Sequence, residues 1–327
     1  SHSRGEYVFD WSWANAYAQH GLAYYPKAVL AVPFTPVPGA RLLARTQADR
    51  AVLAQALLDW CASQQLSGLH QLFLADEDVA TCCRVGMLLR HTVQFHWTNR
   101  TPGYTRFDDF LASLSQEKRK KIRQERRKVA QAGVVFRVVE GTDISSADWD
   151  FFFRCYERTY LEHGNAPYLN REFFQHMAQD MPQDWVMFIA EQAGQPIATS
   201  LIAINASCTS AADPINQKNI KRVAYGRYWG ALKPVDCLHF EACYYQPLSW
   251  CIEHGFDVFE GGAQGEHKLA RALLPVTTSS AHWLSHPGFL SAVDRFLSAE
   301  RAHLDAYVDD LHRHSPFKAK PLSQSPD

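Results

Sequence analysis

The chain has 327 residues, 46% hydrophobic and 20% charged, with a net charge of -1. That length allows two cores or one large one, and the composition is that of an ordinary globular protein. No overall basic excess recruits nucleic acid and no apolar run is long enough to span a bilayer, so a cytoplasmic protein without a membrane span is expected. Eight cysteines, at positions 61, 82, 83, 155, 208, 237, 243 and 251, show no C-x-x-C spacing and are read as reduced core residues. The chain opens on SHSRGEYVFD with neither Met nor a recognisable signal segment, from which missing upstream sequence is expected.

In chain order, EYVFD (6–10) reads as a strand and WSWANAYAQHG (11–21) as a helix. AVLAVPF (28–34) is a strand, TPVPGA (35–40) a loop, and QADRAVLAQALLDWCASQQ (47–65) a helix. Along that helix Val52, Leu53, Ala56, Leu57 and Trp60 are expected to line the buried face. HQLFLA (70–75), EDVATCCRVG (77–86) and HTVQFHW (91–97) continue as strand, helix, strand. Such alternation predicts an α/β chain, and residues 1–98 are assigned to a first lobe. Here Thr35 and Arg41 follow the carboxyl end of a strand, where ligand contacts gather.

Residues 99–133 form a connecting segment dominated by the helix LASLSQEKRKKIRQERRKVAQAG, with Leu111, Leu114, Ile122 and Val129 as its apolar stripe. Its other faces carry Arg119, Lys120, Lys121, Arg123, Arg126, Arg127 and Lys128. Two readings stay open: a solvated connector, or a surface for a phosphate-rich ligand that offsets the local positive field.

From 134 to 327 a second lobe starts afresh. VVFRVVE is a strand, SSADWDFFFRCYERTYLEHG and LNREFFQHMAQDM are helices, and DWVMFIAEQAGQPIATSLIAIN is a hairpin turning at Ala193-Gly194-Gln195 through a loop of three to five residues. RVAYGRYWGA, the turn KPVD, CLHFEACYYQPLSWCIEHG and DVFEG then read as strand, crossover helix and parallel strand. VTTSSAHWL and a helix over 288–312 close the chain. The crossover unit gathers Lys233 and Asp236 beyond its first strand, and Glu260, Gln264, Glu266, His267 and Lys268 beyond its second, at one edge of the sheet. Alternation puts Tyr225, Arg227 and Trp229 on one face of YGRYWGA, while Gly226 and Gly230 mark close approach by a ligand or a backbone.

Those residue types suit acylation of an amine, which needs a proton acceptor near the attacking nitrogen and donors for the oxyanion. Glu260 and His267 are the preferred bases, with His239 and Glu241 as further candidates. Arg227 and Lys268 would hold anionic parts of a donor or acceptor, with Lys233 beside a helix start that could hold a phosphate. No zinc, Walker, dinucleotide or serine-elbow pattern is present.

Three stretches, the basic helix LSQEKRKKIRQERRKVAQAGV, the strand YGRYWGA and the segment FEACYYQPLSWCIEHGFDVFEGGAQGEHKLARAL, resemble the FemAB-like branch of the GNAT fold. That resemblance implies tandem GNAT-like lobes of mixed α/β structure, the first incomplete. It also implies transfer of an acyl or aminoacyl group from acyl-CoA or aminoacyl-tRNA to an amine, on a small molecule or a cell-wall precursor. The sequence departs from the pattern at ALKPVDCL (231–238), which lacks the spaced glycines of a coenzyme A loop. It also carries a polar insertion over 205–221, a lid or tolerated surface. The alternative is a non-catalytic protein that recognises RNA or a polyanionic cell-wall precursor through the basic helix. Strand pairing between 223–231 and 257–261 along the whole length would favour that alternative. No oligomeric state is legible.

Overall fold

The computed structural model describes residues 6–205, 221–263 and 265–318, the side chains of 263 and 266 excepted. Its first elements are α1 (Trp11–Gln19), β1 (Ala28–Leu30), α2 (Gln47–Ser63), β2 (Gly68–Gln71), α3 (Asp76–Arg84) and β3 (Leu88–Thr98). Next come α4 (Phe107–Ser113), α5 (Gln116–Gln131), β4 (Val134–Glu140), α6 (Ser146–Glu162), α7 (Arg171–Asp180), β5 (Trp185–Gln192), β6 (Gln195–Ile204) and β7 (Val223–Ala231). The helix α8 runs through Leu238–Phe240, a π turn Glu241–Tyr245, and Gln246–Glu253. It is followed by β8 (Val258–Ala263), a 3₁₀ turn Glu266–Arg271, β9 (Leu274–Leu284) and α9 (Pro287–Arg313). The mixed α/β class follows the sequence expectation, except that residues 6–10 form no strand. The seven described cysteines are unpaired.

Two compact units divide these elements: Ser1–Gln94 with Gly262–Gln264 and Pro275–His314, and Phe95–Gly261 with Gly265–Leu274 and Ser315–Asp327. Residues 275–314, which chain order alone puts in the second lobe, thus cluster with the first. There β1 runs parallel to β2 and β2 antiparallel to β9. The face of α2 that packs inward is shifted from the expected one: Ala54, Leu58 and Cys61 are buried, the expected Leu53 and Leu57 pack at their edge, and Val52, Ala56 and Trp60 are exposed. Ala54, Leu58 and Cys61, at helical spacing, seat α2 against Leu69 and Ala281. Val52 and Trp60 remain outside.

In the second unit, β4, β5, β6 and β7 form an antiparallel run, and β8 joins β7 in parallel. One face is covered by α6 and α7 through Phe152, Cys155, Tyr156 and Phe174 on Met187, Ile189 and Leu201. Packing on the opposite face joins Val129 of α5 and Leu238 of α8 to Val134, Ala190 and Ala198. The expected order of strand, two helices, hairpin, strand, helix, strand is therefore present. Its hairpin turns through two residues rather than three to five, because Ala193 and Gly194 both have positive φ, 51° and 72°, as a tight primed turn requires. The basic segment is broken in two at Leu114, where Ser115 caps α5 by accepting the Lys118 N–H. All four stripe residues, Leu111, Leu114, Ile122 and Val129, are nevertheless buried.

Gly230 explains how tightly α6 sits on β7: a Cβ there would lie 2.2 Å from the Cys155 carbonyl oxygen. The approach is by backbone, not ligand, and no side chain can rotate away to relieve it. Gly230→Ala is therefore expected to cost about 2–4 kcal/mol in a denaturant or thermal melt. Gly226→Ala, whose nearest contact would be 3.3 Å to the Phe259 ring, should cost well under half as much.

Candidate functional site

The parallel ladder between β7 and β8 is three residues long: Val223 pairs with Val258, Ala224 with Phe259 and Tyr225 with Glu260. Beyond Tyr225 the strands diverge. A bulge in β7 accompanies the divergence, since Leu201 faces Tyr228 while Ile202 faces Gly226, which leaves Arg227 as the extra residue. Alternation is thereby interrupted. Tyr228 turns into the aromatic core against Phe152, Tyr156 and Phe174, and Trp229 turns to the α8 side.

The divergence opens a cavity of about 140 Å³ bordered by Ser200, Arg227, Trp229, His239, Cys243, Tyr244, Phe259, Gly261 and Lys268. Its α8 wall depends on the π turn. In a regular α-helix, residues five apart point about 140° away from each other, whereas the wider π turn brings His239 and Tyr244 to one wall. His239 packs edge-on against Trp229, with centroids 5.4 Å apart. The Tyr244 hydroxyl lies 3.0 Å from His267 Nε2. Burial raises the Tyr244 pKa, so the phenol keeps its proton, and the His267 tautomer sets which of the two donates. The His267 pKa is lowered by burial, then by Arg271 and Lys268.

Lys268 is the group of greatest chemical interest. It is 6% exposed, donates to the Gly261 carbonyl at 2.6 Å, and burial pushes its pKa down to about 8. A lysine at that value is partly a neutral amine near physiological pH. His239 is pushed down to about 4, by burial first and then by His267, Arg271 and Lys268, and is a neutral imidazole at neutral pH. Burial raises the Cys243 thiol. A protonated thiol is a poor nucleophile, and Cys243 borders the cavity in that form.

Several expected site residues lie elsewhere. Phe259 and Gly261 face the cavity, so alternation directs Glu260 to the other side of β8, with Oε2 4.0 Å from His96 Nε2. Burial raises Glu260 to about 7 and lowers His96 to about 4, the latter with help from Lys268. Glu241 is 4% exposed and paired: Arg126 Nε donates to its two oxygens at 3.1 and 3.2 Å, and Gln246 donates at 2.7 Å. It borders a different hollow, of about 490 Å³, beside Arg123, Arg126 and Arg127. Asp236 pairs with Lys128 at 2.7 Å, and Lys233 is exposed in the same loop. Tyr225 closes the β7–β8 ladder. In the first unit, the Arg41 guanidinium donates to the carbonyls of Leu72, Val37 and Ala40 and acts as a loop clamp. Gln264 and most of the 205–221 insertion lie outside the described residues, as does the Glu266 side chain.

Arg227, Trp229, His239 and Lys268 are thus brought together as expected. Ser200, Cys243 and Tyr244 were missed as lining residues, and His96 as the neighbour of Glu260, because the π turn and the pairing of distant elements leave no local signal. Arg227, with its guanidinium 5.2 Å from the Tyr228 ring centroid, also borders a second hollow of about 340 Å³, with Tyr156, Tyr160, His163 and Asn165. No group of three or more His, Cys, Asp or Glu able to hold a metal occurs among the described residues, and no described helix is long and apolar enough to cross a membrane.

Residues 1–319 match the FemAB-like family, described as peptidoglycan biosynthesis/recognition. No curated protein matches the chain. Similar solved structures include the C-terminal domain of a putative lysylphosphatidylglycerol synthetase from Agrobacterium fabrum, at 10% identity over 77% of this chain and 79% of that one, with a TM-score of 0.53. Another is L-PGS from Bacillus licheniformis, at 12% identity over 76% and 79%, with a TM-score of 0.52. A tandem GNAT protein from clavulanic acid biosynthesis aligns at 8% identity over 76% and 73%, with a TM-score of 0.40. At such identities the first two likenesses speak for the fold alone.

The buried carboxyl at 260 has a measurable consequence. With its pKa raised from 4.5 to about 7, the folded chain keeps a proton that the unfolded chain loses, so the wild type loses stability as pH rises from about 4.5 to 7. Glu260→Gln removes that slope. Melts at pH 5 and pH 8 should show the variant gaining on the wild type at the higher pH, by up to about 3 kcal/mol.

Proposed function

Because the chain belongs to the FemAB-like family, we propose that it is a transferase that moves an acyl or aminoacyl group from an activated donor to an amine, with the cavity between β7 and β8 as the reaction chamber. The observation that carries this reading is the three-residue ladder. A recognition protein has no need to separate neighbouring strands at the cost of their hydrogen bonds, whereas a transferase uses the gap to bring an extended donor arm alongside the β7 edge.

In this reading the lone pair of the acceptor nitrogen attacks the donor carbonyl carbon, forming the N–C bond and placing charge on the carbonyl oxygen. Neutral Lys268 takes the proton released by the nitrogen, its pKa of about 8 being close to the working pH. The intermediate then collapses by breaking the bond to the leaving oxygen or sulfur, which takes the proton from the Lys268 ammonium and returns that lysine to its neutral form. Arg227 holds an anionic portion of a substrate, and the Tyr244–His267 pair offers a polarised phenol at the wall. The hollow behind Arg227, lined by tyrosines, suits the acceptor.

Between the two donor classes, an aminoacyl ester of tRNA is favoured over an acyl-CoA. At the entrance to α8 stands Asp236, a carboxylate engaged with Lys128, where a pyrophosphate cradle would need glycines and free amides. The family description points to an amine of a cell-wall precursor as acceptor.

The test supplies aminoacyl-tRNA or acyl-CoA with an amine-bearing cell-wall precursor and follows deacylation, thiol release and product mass. Transfer from aminoacyl-tRNA is expected, rising with pH through an apparent pKa near 8 as Lys268 loses its proton. Lys268→Met should remove that limb and lower kcat by about 100-fold or more. Absence of transfer from either donor, or full activity of Lys268→Met, would overturn the reading.

A further inference from the structure

We infer that Arg271, held by Glu125 of α5, is the positioning residue that sets Lys268 and His267 against the cavity; this inference rests on the transfer reading above. Arg271 ends the 3₁₀ turn Glu266–Arg271 and is 2% exposed. Its Nη2 donates to both Glu125 oxygens at 2.8 Å, and its Nη1 donates to the His267 carbonyl at 2.7 Å. The guanidinium lies over the Phe240 ring, 3.4 Å from the centroid. Tyr245 of α8 donates its hydroxyl to the same carboxylate. One buried ion pair therefore joins three pieces of chain: α5, α8 and the turn.

Residues three apart eclipse in a 3₁₀ turn. Fixing Arg271 consequently fixes Lys268, and the bond to its carbonyl fixes His267 directly. Other backbone bonds of the turn are short-range, from the Lys268 N–H to the Gly265 carbonyl and from the Leu273 N–H to the Lys268 carbonyl. These, with the Ala272 N–H to the Leu269 carbonyl, close the loop on itself, so besides the Arg271 pair its polar ties to β8 and α8 include the side-chain bonds of Lys268 to Gly261 and of His267 with Tyr244. Glu125 is also an isolated buried carboxylate in a run of cations; a solvated helix would not bury it, and it is buried here because Arg271 meets it.

Lys268 has the Gly261 carbonyl on β8, Cys243 and His239 on α8, His96 on β3, and His267 on its own turn as its polar neighbours. If the anchor fails, the turn swings toward water and Lys268 regains hydration. That change is readable without any transfer reaction. Competitive labelling with trace acetic anhydride across pH, with peptides quantified by mass spectrometry, gives the midpoint at which each lysine becomes reactive.

In the wild-type chain, Lys268 should label with a midpoint near 8. Arg271→Gln and Glu125→Gln, each checked for folding by circular dichroism, should move that midpoint up by about one pH unit or more and leave exposed Lys120 unmoved. Arg271→Lys, which keeps the charge, should bring it some of the way back. If the glutamine variants do not fold, Tyr245→Phe removes a single bond to Glu125 and should give a smaller shift of the same sign. A folded variant with an unchanged Lys268 midpoint, or a wild-type midpoint at the ordinary lysine value, would overturn the inference. A shift in a chain that transfers nothing would reject the transfer reading alone.

Discussion

The early end of the β7–β8 ladder is the constraint on which the site depends. A parallel pair held along its length would satisfy its backbone groups and leave no room between the strands. Here the pairing ends at Tyr225 and Glu260. Two features favour that geometry over simple extension of the sheet. The bulge at Arg227 re-aims the second half of β7, and contact of Gly230 with the Cys155 carbonyl pins that half down onto α6. The cavity is thus a consequence of how β7 is gripped from the side away from β8.

The basic helix α5 has a divided role. Its inner positions are structural: Ile122 and Val129 enter the core, Glu125 meets Arg271, Arg126 meets Glu241 and Lys128 meets Asp236. Its outer positions form a cationic surface, with Arg119, Lys120, Arg123 and Arg127 lining a hollow of about 570 Å³. A helix that is at once the counter-charge for the turn beside the cavity and a cationic exterior explains why so charged a segment is conformationally fixed. The interior pairs hold it, and the exterior charges need not.

What the sequence revealed follows from the range of each signal. Element order in the second unit was legible because hydrophobic period and turn residues act over a few positions, as in VVFRVVE or the Ala193-Gly194 turn. The gathering of Arg227, Trp229, His239 and Lys268 was legible because strand–helix–strand units direct their loops to one edge. Glu260 was misplaced by a parity that depends on which face of β8 looks toward the gap, and no count within DVFEG decides that. Glu241 was misjudged because its partner, Arg126, stands 115 positions away. Tyr244 was lost to the π turn, and the inward stripe of α2 was legible only in part: Leu53 and Leu57 pack on the core, but its centre runs through Ala54, Leu58 and Cys61.

Dryness acts on both ionisable groups around β8, and with opposite results. Removing water disfavours the charged form of each, so it lowers the amine of Lys268 to about 8 and raises the carboxyl of Glu260 to about 7. For a lysine bordering the cavity this favours the neutral amine, the form that a base requires. For a carboxyl it retains a proton on the face that looks to His96, itself uncharged. The sequence by itself offered Glu260 and His267 as bases. In the proposed transfer reading, orientation and burial give that task to the lysine, and the same burial would keep bulk water from an activated donor beside it.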